Sequence, residues 1–438
     1  MSAARLVGRV AAAAGIDLSK RDLYSDLLRA FSLAVVVIGH WLELITSHLK
    51  LLHRYEPWVT WAFQILPLFF MVGGSLNAAS WTRSLERGES WAVWIRRRAQ
   101  RLLMPLTPLI LLWLVMIPIL LYLRFPREFV ETAALTAVVP TWFLAAYLTV
   151  VVMTPITFAL HRRYGAWVVV AMVLPTLLTD ALVHRGVTYA GDINVFLVWG
   201  AIHQLGYFWH DRYLRSSTIA GSAIAFGAIA GLLVLTGTGL YPVSMVVIDP
   251  DAPNNAAPPS FALFLLGLAQ VTAAVVLRPG LTSWMQKRSA QRIVGGVGRF
   301  TMTVFLWHMT AILLVAALAW ASGNWPEAPD IDGSRWAVKP FWLLLIGLVL
   351  AVLVFVFKRV EEWPTREKAH PSRRRALAGV ALSLAGITWV GLHGLDPSDV
   401  PFRITLGMIG VLFVGMVLLD ATPPFGARAQ RDAAPAET

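Results

Sequence analysis

Apolar runs of about 17–25 residues, each long enough to cross a bilayer as a helix, constrain this chain more than any other feature. Twelve can be read, near 27–46, 58–80, 104–123, 141–160, 166–184, 194–209, 218–240, 260–278, 300–321, 341–358, 376–394 and 403–420. The shortest is 194–209. Composition agrees: 57% of residues are hydrophobic and 14% charged, where soluble domains carry about 25% charged residues. Nineteen tryptophans suit a chain with many membrane interfaces, where indole rings anchor. The expected fold is all-α and polytopic, with about twelve transmembrane helices.

The connecting segments predict the orientation. Counting residues 1–29 and every second loop as cytoplasmic collects 29 of the 37 Lys and Arg. The dense clusters run from Arg83 to Arg101, Arg278 to Arg299 and Lys358 to Arg375. This bias predicts both termini in the cytoplasm and a multi-pass protein of the plasma membrane. It also accounts for the net charge of +12 without nucleic acid, and implies surface contact with anionic lipid. Loops 241–259 and 322–340 then lie outside, where either could cover a site. There is no cysteine, which excludes disulfides, thiolate metal sites and a cysteine thioester intermediate. Arg5 and Arg9 precede an alanine run too short for a signal-peptide core, so the first helix is expected to stay in the mature protein.

Within the first span, DLLRAFSLAVVVIGH sets Asp26 and Arg29 at the start of an apolar helix, with His40 well inside it. At ~100° and ~1.5 Å per residue, Arg29 and His40 lie about 20° apart on one face and about 16 Å apart along it. An ionisable group inside such a span faces protein or a wet cavity. His40 reads in two ways, as a histidine bonded between helices or as a general base. Arg29 alone would be an orientation signal; its value comes from sharing a face with His40. Gly73, Gly74 and Ser75 predict close helix packing, and Asn77 a hydrogen bond to a ligand or another helix. The cluster WIRRRAQRLLMP holds Arg97, Arg98 and Arg101 ahead of a helix start at Pro105. It is either inside-loop charge or a phosphate-binding wall. His203 with Gln204, and His308, are the other deep histidines. His161, His210 and His370 read as surface residues of inside loops. No HExxH or GxxxxGK[ST] motif is present, and no metal is implied.

These stretches together resemble the integral-membrane acyltransferase-3 family. Asp26, Arg29 and His40 are similar to its first-helix pattern, and Phe69-Phe70 through Gly73-Gly74 to its second. Arg97, Arg98, Arg101 and Pro105 resemble its basic pattern, Gly298-Arg299 through Leu306-Trp307-His308 its late one, and Glu362-Trp363-Pro364 its closing one. The resemblance covers about residues 22–364 in order. One departure lies in TWFLAAY, where Tyr147 stands in place of a glutamate common in the family. The implied layout is a cytoplasmic segment 1–26, a ten-helix core 27–364, two additional helices in 365–420 and a disordered cytoplasmic tail 421–438.

The resemblance implies an O-acyltransferase. An acyl-CoA-like donor, a co-substrate and not a bound cofactor, would arrive from the cytoplasm. The acceptor would be a hydroxyl on a sugar, lipid or cell-envelope polymer. His40, Arg29 and His308 form the implied catalytic set, with His40 as general base or, alternatively, acyl carrier. Asp26, Arg97, Arg98 and Arg101 form the donor-binding set. A secondary transporter is the rival reading, since intramembrane His and Arg serve proton coupling, although no duplicated six-helix pattern is visible. A non-catalytic membrane partner that kept the fold is a third.

Overall fold

The structure, a computed structural model, describes residues 22–46, 56–211, 218–247, 251–287, 290–291, 294, 300–322, 339–361, 372–395 and 402–422. Each of the twelve apolar segments contains a helix. They are α1 (Leu23–Thr46), α3 (Leu66–Glu86), α5 (Leu106–Tyr122), α7 (Pro140–Tyr164), α8 (Trp167–His184), α9 (Asn194–His210), α10 (Thr218–Gly237), α11 (Phe261–Met285), α12 (Thr301–Ala321), α13 (Lys339–Glu361), α14 (Arg373–His393) and α15 (Phe402–Leu418). Three shorter helices, α2 (Glu56–Phe63), α4 (Trp91–Leu103) and α6 (Arg127–Thr136), lead into α3, α5 and α7. No strand is present among the described residues. The protein is all-α and polytopic, with 10 helical stretches among the described residues long and apolar enough to cross a membrane. The other two, α9 and α15, have 17 residues each, about 25 Å at the usual rise.

Helix α9 is deeply buried. Ten of its side chains or more are enclosed by protein, including Trp199, His203, Gln204 and Tyr207. It packs on α3 on one side and on α7, α8 and α11 on the others. Such a helix borders protein instead of lipid, which relaxes the length the bilayer would demand. Glycines set its closest contact. A Cβ on Gly206 would lie 2.0 Å from the Met71 carbonyl, and one on Gly74 2.0 Å from the His203 carbonyl. The packing expected of Gly73 and Gly74 is therefore present, with Gly206 as its counterpart. Helices α10 and α13 sit at the periphery, with most of their apolar surface open.

The helix ends sort into two sides. On one, Tyr24 at the start of α1 bonds the Ala274 carbonyl of α11 at 2.6 Å and stacks on Trp209 near the end of α9. His161 at the end of α7 bonds Asp211, just past α9, at 3.1 Å. Glu361 at the end of α13 caps the start of α12. On the other side, Asp180 near the end of α8 accepts from Asn194 at the start of α9, from Tyr241 and from the Phe261 N–H that opens α11. Phe125, after α5, packs on Trp320 near the end of α12 at 4.4 Å. These pairings fit helices running alternately up and down.

His161 departs from the surface role expected of it. It is 4% exposed, lies parallel to Phe158 and meets Phe208 edge-on. The loop between α7 and α8 is short enough that His161 remains within the bundle. His210 is half-buried beside the same Asp211. His370, loop 322–340 beyond Ser322, and the tail expected to be disordered lie outside the described residues, apart from Ala421 and Thr422.

Candidate active site

Helix α1 turns the Arg29–His40 face toward the protein. Leu33 and Val37 share that face and are 2% and 6% exposed, whereas Phe31 and Ile38, about half a turn away, are 51% and 45% exposed. The ionisable residues therefore avoid lipid, as their cost in hydrocarbon requires.

The structure brings His40 onto His308 of α12. His40 Nδ1 lies 3.0 Å from His308 Nε2, and the rings stack with centroids 5.1 Å apart. His308 is fully buried, and its Nδ1 lies 2.6 Å from the Phe305 carbonyl. A carbonyl only accepts, so His308 Nδ1 carries a proton and donates. In a neutral ring its Nε2 is then the acceptor. His40 Nδ1–H must donate to it, leaving a lone pair on His40 Nε2. That nitrogen has no hydrogen-bond partner among the described residues. Trp41 Nε1–H donates to the His308 carbonyl at 3.0 Å, and Trp113 Nε1–H to Thr310 Oγ1 at 3.0 Å. These bonds fix α12 against α1 and α5.

The start of α12 is held by Glu361, the residue before Glu362 of the closing pattern. Glu361 accepts from the Met302 and Thr303 N–H groups at 3.2 and 3.0 Å and from Thr303 Oγ1 at 2.7 Å. A carboxylate at a helix N-terminus satisfies free donors and the helix dipole together. Glu362, to which the closing pattern had been assigned, lies outside the described residues, as do Gly298 and Arg299.

Four arginines gather on the side where α1 starts. Arg29, Arg83 and Arg101 lie within electrostatic reach of Arg98. Arg98 donates to the Leu76 carbonyl at 3.0 Å and lies over the Trp94 ring. Arg83, Arg98 and Arg101 have no carboxylate partner among the described residues. Arg29 meets Asp26 at 3.8 Å, a long contact. In the sequence Arg83 shows only as loop charge, since nothing there places α3 against α4. Arg97 is directed differently from Arg98 and Arg101: it pairs with Glu89 in the loop before α4. Hydrogen bonds from Arg87, then Ser84 and Arg97, pull the Glu89 carboxyl down to about 2 against a partial desolvation that raises it. Glu89 is thus ionised at neutral pH and balances Arg97.

A second polar group lies between α3, α7 and α9. Asn77 Nδ2 is 3.0 Å from His203 Nε2 and 3.5 Å from the Tyr147 hydroxyl. Arg98 is within electrostatic reach of both His203 and Tyr147. Tyr147, the departure noted in α7, therefore faces the arginine group. Phe143 and Phe305 stand between this group and the histidine pair, with centroids 5.0 Å apart. Gln204 points elsewhere: it does not bond His203, and neither of its amide atoms has a partner among the described residues.

The assembled elements are a hydrogen-bonded pair of histidines, an arginine group nearer the helix ends in which Arg83, Arg98 and Arg101 have no carboxylate partner among the described residues, and one helix face joining them. The acyltransferase-3 family model, an acyltransferase domain, matches residues 22–360, from just before α1 to the end of α13. No curated protein and no solved structure matches the chain. A match over most of the chain, with the histidine and arginine groups inside it, means that this protein belongs to the acyltransferase-3 family and is a membrane O-acyltransferase.

Proposed function

We propose that the protein transfers an acyl group from an acyl-CoA-like donor to an acceptor hydroxyl, with His40 as general base. The observation that carries this reading is the bond from His40 Nδ1 to His308 Nε2, which leaves the other His40 nitrogen as the lone pair. Donor phosphates would rest against Arg98, Arg101, Arg83 and Arg29, whose charges favour an anion. An extended pantetheine arm spans roughly the 16 Å of α1 between Arg29 and His40, so the thioester would come to lie near His40.

His40 Nε2 takes the hydroxyl proton as the acceptor oxygen attacks the thioester carbonyl. The C–O bond forms, the C–S bond breaks, and the thiolate takes the proton back from His40. Through both steps His40 Nδ1–H goes on donating to His308, which orients the ring and spreads the charge of the imidazolium. The acceptor would be a sugar, a lipid or a cell-envelope polymer, with the termini of the chain in the cytoplasm.

The test is turnover of acetyl-CoA by purified protein in detergent. His40→Ala is expected to lower it by roughly 10²–10⁴ while the protein stays folded. Near-normal turnover would move the base elsewhere. Acceptor identity follows from mass spectrometry of lipids and surface glycans in cells with and without the gene.

A further inference from the structure

Helices α14 and α15 lie beyond the matched family domain, yet they grip the helix that bears the arginines. They pack on each other through Gly379, Gly386 and Gly415, where an added Cβ would lie 2.5–2.7 Å from its neighbour. At one end of this hairpin, Leu395 N–H donates to the Ala134 carbonyl at 3.1 Å, and Gly391 lies against the backbone of Trp142 in α7.

At the other end, α15 closes in a left-handed residue, Asp420, with φ of 52°. Its carboxylate meets Arg96 of α4 at 3.3 Å and Arg375 of α14 at 3.3 Å. Arg96 and Asp420 are 2% and 9% exposed, so this is a buried ion pair. The carbonyls that end α15 are also satisfied from outside the helix. Gln100 Nε2 donates to the Leu419 and Asp420 carbonyls at 3.2 Å each, and Arg375 Nε to the Leu418 carbonyl at 2.9 Å.

Arg96 and Gln100 are four residues apart and occupy one face of α4. At ~100° per residue, Arg98 lies about 200° around from Arg96, on the opposite face, where it reaches α3. Consecutive arginines in the same short helix thus have different tasks. Arg96 is bound by the hairpin, Arg97 by Glu89, and Arg98 is turned toward Arg29 and Arg83. A rotation of α4 that carried Arg98 away from Arg29 would have to break the buried pair first.

We infer that the α14–α15 hairpin positions the donor site, with Asp420 as the residue that sets the rotation of α4. This rests on the reading that Arg98 and its neighbours bind donor phosphates.

The experiment measures CoA binding to the full-length protein in detergent by titration calorimetry, with thermal unfolding alongside. Asp420→Asn keeps the side-chain shape and removes the charge. It is expected to weaken CoA binding by about tenfold, the scale of one misplaced charge-assisted contact. Arg98→Ala is expected to weaken it directly, and Arg98→Ala with Asp420→Asn by less than the sum of the two single losses, since both act on the contact that α4 presents. Should Asp420→Asn fail to fold, Gln100→Leu loosens the same junction without stranding a charge and is expected to weaken CoA in the same direction. Unchanged CoA binding in Arg98→Ala would overturn the donor reading itself. Weakened binding in Arg98→Ala, with CoA affinity unchanged in Asp420→Asn or Gln100→Leu, would overturn the positioning role alone. Additive losses in the double variant would do the same.

Discussion

At the scale of single residues, chemistry is decided by which nitrogen carries a proton. His308 has one acceptor in front of it and one donor, and the Phe305 carbonyl determines which is which. A glutamine can present an oxygen to His40 Nδ1–H, whereas leucine cannot. His308→Leu is expected to lower kcat by about ten- to a hundredfold, the equivalent of an oriented hydrogen bond to a charge at ~1.5–3 kcal/mol, and His308→Gln by less. Equal kcat losses in the two variants, measured with saturating acetyl-CoA, would show that His308 does not act as the acceptor. Arg29 makes a different prediction. Its contact would be made equally in ground and transition states, so Arg29→Ala should raise the donor KM with little change in kcat. Arg29→Lys should recover part of the affinity, because a point charge lacks the bidentate fork. A fall in kcat alone would make Arg29 a structural partner of Asp26, one turn earlier.

At the scale of elements, the site depends on how closely helices approach. Helix α3 carries Asn77 and lies against α9, which carries His203, because Gly74 and Gly206 let backbones touch. An added methyl at Gly206 would meet the Met71 carbonyl and the Ser75 nitrogen, backbone atoms that cannot swing aside. Gly206→Ala is therefore expected to destabilise the protein by about 1–3 kcal/mol or more through overpacking. Gly227→Ala on the peripheral α10 has nothing within 4 Å and should be neutral. Thermal unfolding in detergent compares the two; similar midpoints would mean that α3 and α9 can separate at little cost. Glu361 works at the same scale. It caps α12, whose second turn ends on His308, and so holds the helix that carries that histidine.

At the scale of the whole molecule, the prediction is topology. The side that holds the start of α1 also holds Arg83, Arg96 to Arg98, Arg101, Arg278 and Arg373 to Arg375, and the positive-inside rule predicts that side to be cytoplasmic. The chain has no cysteine, so single cysteines report cleanly. A membrane-impermeant thiol reagent applied to intact cells should label Tyr189→Cys and Ala252→Cys and miss Glu86→Cys. Labelling of Glu86→Cys would invert the map. Labelling of Tyr189→Cys without Ala252→Cys would mean that α9 or α10 does not cross.

Much of this was written in the sequence, because a bilayer leaves few solutions. Apolar runs of bilayer length have to be helices, since their backbone groups find no partner in lipid. Their positive flanks predict an orientation, and helical periodicity puts Arg29 and His40 on one face. Local order also marks Gly73 and Gly74 as packing residues. The family resemblance grouped His308 with His40, but the contacts of these residues were not legible, because their partners come from distant parts of the chain. Only the tertiary structure set His308 of α12 on His40 of α1, drew Arg83 toward Arg98, and sent the neighbouring arginines Arg96 and Arg97 to Asp420 and Glu89. Positive charge in an inside loop looks alike from residue to residue. Which arginine remains free for a ligand depends on which carboxylates the fold delivers to the others.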